Sequence, residues 1–162
     1  MRLLPLSASL IIACLLLTVP QAHAQRNLDL KIGPRVTIDV ADIDETAIGG
    51  TIRVTGEGFP LQASGAFDVY ASEDDATIFT VDLNAHYLID LARWFSPYLG
   101  AGGGVTRISG RDGLGSETDL GLNLVGGLEI DVQIITLFTQ SQLTLGSTFD
   151  RLGFSAGFLV KI

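Results

Sequence analysis

Hydrophobic and polar residues alternate along most of this chain. Over residues 77–89 one face reads Phe79, Val81, Leu83, Ala85, Tyr87, Ile89 and the other Ile78, Thr80, Asp82, Asn84, His86, Leu88. A period of two with one apolar face is the signature of a strand half in contact with an apolar medium. Residues 152–162 repeat it, with Leu152, Phe154, Ala156, Phe158, Val160 and Ile162 on a wholly apolar face. The same pattern predicts strands over 28–40, 48–56, 61–70, 97–108, 119–130 and 135–145, the last weakened by Thr139 and Ser141 on its apolar side. That makes eight strands and next to no helix.

The connections alternate too. Residues 41–47, 71–76, 109–116 and 146–151 are polar, whereas 57–60, 90–96 and 131–134 are mostly tighter or richer in apolar residues. Odd and even turns therefore lie at opposite ends. An even number of strands of about ten residues, with polar links at one end and compact turns at the other, predicts an all-β, eight-stranded antiparallel up-and-down transmembrane barrel. The rival is a soluble exported barrel of the lipocalin kind, which alternates as well but turns its apolar face inward. Two features favour the membrane. The polar faces carry Gly, Asn, Gln, Ser, Thr and Asp with few lysines, unlike a water-exposed face. Tyr87, Trp94, Phe95 and Tyr98 gather around one compact turn, as an interfacial girdle would.

Composition adds a compartment. Of 162 residues 47% are hydrophobic and 17% charged. Arg2, the apolar stretch 10–19 and the small-residue site Ala22-His23-Ala24 predict a signal peptide over 1–24 and a barrel domain over 25–162. A lipobox-like Ile11-Ile12-Ala13-Cys14 is a rival, but Cys14 sits amid the apolar segment. Cleavage after Ala24 removes Arg2 and the single cysteine, leaving nine Lys and Arg against eighteen Asp and Glu. Thiol catalysis, disulfides and cysteine metal sites are thereby excluded from the mature chain. With His86 its only histidine, so are multi-histidine metal sites. The acidic balance argues against a nucleic-acid partner.

Three segments then resemble a family: residues 94–104 (WFSPYLGAGGG), residues 119–129 (DLGLNLVGGLE) and residues 153–162 (GFSAGFLVKI). Together they are similar to the OmpA/OmpX-type superfamily of small outer-membrane β-barrels, over essentially all of 25–162. The resemblance implies residence in the outer membrane of a diderm bacterium, contact with outer-membrane lipids, and recognition of the C-terminal strand by the barrel assembly machinery. It also implies roles such as envelope integrity, adhesion or stress resistance. Barrels of this kind usually end in an aromatic residue. Ending in Ile162, this chain rests its insertion signal on Phe154, Phe158 and Val160.

Candidate chemistry is sparse, and no cofactor is implied. The glycines of 100–104 are followed by no Gly-Lys-Ser/Thr and open no helix, so they are no phosphate loop. Their expected use is to bend a tilted strand or to leave room for large inward neighbours. Some barrels resembling this family are lipid A acylases or deacylases that use a histidine on the outer-leaflet side. His86 falls near the opposite, compact-turn end, beside Asn84 and Asp82, which predicts a hydrogen-bonded packing residue and no catalytic set.

The polar faces place Asp29, Lys31, Arg35, Asp39, Arg53, Asp68, Asp82, His86, Asp119, Glu129 and Lys161 in the lumen. In so narrow a space they are expected to form a salt-bridged core without an open pore. A narrow porin or small-ligand transport barrel is the competing reading of such a lumen. Lys161 and Asp29 are expected to meet at the compact-turn rim, because the last strand must close on the first. At the other rim the acidic loops, with Glu73, Asp74 and Asp75 foremost, are weak candidates for Mg²⁺ or Ca²⁺ bridging to lipid phosphates. A monomer is expected.

Overall fold

The computed structural model describes residues 28–41, 43–71, 77–109, 116–148 and 150–162. The expected export segment, its cleavage site, and Glu73, Asp74 and Asp75 lie outside the described residues. Within them the elements are β1 (Leu28–Asp39), β2 (Thr46–Gly56), β3 (Leu61–Ala71), β4 (Thr77–Leu88), β5 (Phe95–Ser109), β6 (Glu117–Val132), β7 (Ile135–Gly146) and β8 (Asp150–Lys161), with no helix. Each pairs antiparallel with the next, and β8 pairs with β1 to close the barrel. No sheet edge is left open.

Register fixes the shape. The ladder row beginning at Lys31 runs through Arg53, Ser64, Asn84, Gly102, Asn123 and Thr144 to Arg151. Lys31 itself pairs with Lys161. One circuit therefore climbs from residue 161 to residue 151 along β8, a shear of ten residues. With eight strands, that shear gives a tilt of about 41° and a backbone radius of about 8 Å. A twelve-residue strand tilted so rises about 30 Å, enough to cross an outer-membrane hydrocarbon layer.

Alternation becomes an apolar outside and a polar inside. Leu122 is 72% exposed, Ile48 71% and Leu83 68%, all on the outer wall. Arg53, Asp68, Thr80 and His86 are fully enclosed. This is the inverse of a soluble barrel, and it removes the lipocalin-like reading. The loops joining β1 to β2, β3 to β4, β5 to β6 and β7 to β8 share one end. The compact turns at 57–60, 89–94 and 133–134 share the other, with both ends of the described chain. The tightest turn puts Gln133 at φ +59° and the first puts Gly58 at φ +70°, the left-handed backbone a short strand connection needs.

Candidate functional site

Among the described residues polar groups converge in the interior, and they are built in layers. Nearest the short turns, Glu129 on β6 takes Arg53 Nη1 at 2.5 Å, Lys31 Nζ at 3.2 Å and Gln62 Nε2 at 3.0 Å. Lys31 also reaches Asp131 at 3.0 Å. The Arg53 guanidinium lies 4.3 Å from the centre of the Phe138 ring and 5.0 Å from that of Tyr98, a cation over two π faces. On the short-turn side of this layer a recess of about 740 Å³, lined in part by Asp29, Asp90 and Arg93, ends on Lys31, Gln62, Glu129 and Asp131.

His86 belongs to the same layer. Its Nδ1 meets Gln62 Oε1 at 3.1 Å, its Nε2 meets Ser64 Oγ at 3.1 Å, and its ring stacks on Tyr98 at 4.6 Å. Both ring nitrogens are thus engaged and no face is open to a substrate. Tyr98 departs from its expected place. It is 1% exposed and points inward, donating to Gln140 and accepting from Arg53, both at 3.0 Å. Of the four aromatics around that turn, Tyr87, Trp94 and Phe95 stay outside the lumen, with Trp94 and Phe95 in contact at 5.6 Å between ring centres. Tyr98 shares its parity with Gly100 and Gly102 on β5, and that signal outranks its nearness to Trp94.

Further along the axis a second layer joins Arg35 to Asp68 by two guanidinium nitrogens, with Nε to Oδ1 at 2.8 Å. Gly49 makes this reach possible. It stands between the two in the ladder, and a Cβ there would meet Asp68 Oδ1 at 2.1 Å. Arg151 Nη2 donates to Asp82 at 3.2 Å and to Thr144 at 3.2 Å, while its Nη1 donates to Tyr70 at 3.1 Å. Asn123 ties Asp82 at 2.9 Å to Asn84 at 3.0 Å. Arg151 was hidden in the sequence because its polar neighbours read as loop; β8 begins one residue before it.

At the loop end the lumen is capped by apolar side chains. Ala47, Tyr70 and Ile78 form a buried cluster, with Ile43 and Ile108 packed on it. Ile43 comes from the β1–β2 connection, whose polar character conceals it. Asp119, also inward and buried, binds the backbone N–H groups of Ser147 and Thr148 at 3.1 and 3.2 Å. Lys161 and Asp29 meet at 2.9 Å on the opposite rim, where Lys161 is more than half exposed.

The glycines of β5 serve the β4 side chains. A Cβ at Gly100 would lie 2.6 Å from the His86 ring, at Gly102 2.3 Å from Asn84 Oδ1, and at Gly104 2.2 Å from Asp82 Oδ1. Three large inward residues lie across three residues without side chains. Among the described residues no group of three His, Cys, Asp or Glu stands as a metal site.

Closed eight-stranded wall, polar packed lumen and apolar exterior together define the architecture. This is the fold of the small outer-membrane barrels. Solved structures similar to it include Neisserial surface protein A, with 17% identity over 83% of this chain and 97% of that one and a TM-score of 0.63. The N-terminal β-barrel domain of Pseudomonas aeruginosa OprF matches with 15% identity over 85% and 100%, at a TM-score of 0.70. Ail, the attachment invasion locus protein of Yersinia pestis, matches with 15% identity over 86% and 100%, at 0.61. No family model matches the chain, and no curated protein matches it in sequence.

Proposed function

We propose that this chain is an integral outer-membrane protein of a diderm bacterium, exported by residues 1–24 and inserted through β8 by the barrel assembly machinery. Its role is structural or surface-interacting, in envelope integrity, adhesion or stress resistance, without catalysis and without an open pore. The observation that carries this reading is the inverted wall: large aliphatic side chains cover the outside while the charged groups fill the inside. In water that arrangement would expose an apolar belt far larger than a soluble monomer tolerates; in a bilayer it is the stable one. Short turns belong at the periplasmic side in such barrels, so the acidic loops face outward.

Fractionation with a gel comparison of heated and unheated samples tests the location. The protein is expected in outer-membrane fractions with a compact, faster-running unheated form; recovery from the soluble periplasm refutes the reading. The closed lumen is tested separately in planar bilayers. The layer around Arg53 and Glu129 and the cap around Tyr70 predict no stable single-channel steps, and reproducible steps would establish a conduit instead.

A further inference from the structure

Between the Arg35–Asp68 layer and the apolar cap lies a void of about 10 Å³ whose walls include Thr37, Asp39, Tyr70, Arg151 and Gly153. Asp39 and Arg151 are 2% and 4% exposed, and each has one atom without a partner: Asp39 Oδ1 and Arg151 Nε. Asp39 Oδ2 and Arg151 Nη1 share a neighbour. The Tyr70 hydroxyl donates to Asp39 Oδ2 and accepts from Arg151 Nη1. Asp39 is thus tied to Arg151 on one side only, and among the described residues no cation pairs with it directly, unlike Asp68 and Asp82.

We propose that this void is a binding site for one ordered water molecule, which accepts from Arg151 Nε–H and donates to Asp39 Oδ1. It closes a ring from Asp39 through Tyr70 to Arg151 and back. The volume suits a single water, and polar walls with a free donor and a free acceptor are what hold one. A cation would meet the Arg151 N–H as a like charge; an anion would meet Asp39. A neutral molecule that both donates and accepts satisfies the two at once, sparing each the cost of a buried unpaired group.

Two measurements on the refolded, detergent-solubilised chain test this. A crystal structure at high resolution is expected to show one density peak at hydrogen-bonding distance, about 3 Å, from both Asp39 Oδ1 and Arg151 Nε. An empty void, or a direct bond between those two atoms, overturns the proposal. By NMR, Arg151 Nε–H is expected to show a cross-peak to water. In Gly153→Ala an added Cβ stands 3.0 Å from Asp39 Oδ1 and 3.4 Å from Thr37 Cγ2, and it is expected to take the place of the water. The cross-peak is expected to vanish in that variant while the folded spectrum is kept; its persistence there, or its absence from the native chain, is the contrary result.

Discussion

In the short-turn half of the lumen Lys31 and Arg53 meet Glu129 and Asp131, equal in number and in direct contact. In the loop half Arg35 and Arg151 face Asp39, Asp68 and Asp82, and Asp39 is joined to Arg151 through Tyr70. In the first arrangement aromatic rings cover the Arg53 guanidinium from two sides, while a recess from the short-turn rim ends on Lys31 and Asp131. The second encloses a void under an apolar cap. A narrow barrel can therefore neutralise its lumen either by dense contact or through relays, and the two should respond differently to the loss of one partner.

The largest effect is expected from Arg53→Met, which strips Glu129 of its shortest contact and leaves a buried carboxylate without its guanidinium. A loss of about 3–5 kcal/mol in unfolding free energy, from urea titration in micelles, fits a broken buried pair. Arg151→Met is expected to cost less, about 2–3 kcal/mol, because Asn123 still binds Asp82 and Tyr70 still binds Asp39. Equal losses in the two variants would erase the distinction between the halves. The double variant Arg53→Met with Glu129→Gln sharpens it: removing the stranded charge should restore at least half of the single variant's loss, with Lys31 still held by Asp131. Smallest of all is Lys161→Met. The sequence placed Lys161 beside Asp29 as a candidate stabilising contact, and they do touch, but on a rim where Lys161 is 57% exposed. A shift within about 0.5 kcal/mol is expected from so screened a pair.

Strand faces were legible because period two is set by backbone geometry, and a barrel with one medium outside and another inside enforces it over its whole length. Lys31, Arg35, Arg53, Asp68, Asp82, His86, Asp119 and Glu129 could be placed inside on parity alone, and they are buried there. Pairing could not be read. Arg35 meets Asp68 only because the ladder carries a glycine between them, and Lys31 reaches Glu129 across the lumen, 98 residues away in sequence. Tyr98 was misplaced because an aromatic beside a turn looks the same whether it faces lipid or lumen; only its neighbours' parity tells. Ile43 and Ile78 escaped as cap residues because one lies in a polar connection and the other on a polar face.

The glycines of β5 also set the barrel's gauge. Asp82, Asn84 and His86 on β4 act as three keys, and Gly104, Gly102 and Gly100 as their slots. A slip of two residues would keep every face correct, since parity is unchanged, and hydrophobicity offers no objection to it. The ends of the slot row object instead. Sliding one way sets His86 against Tyr98; sliding the other sets Asp82 against Thr106, whose Cβ would occupy the space its carboxylate needs. Each such slip would change the shear by two and with it the radius of the whole tube. The bore of this protein is thus calibrated by a short run of residues that have no side chains, bounded at each end by one that does.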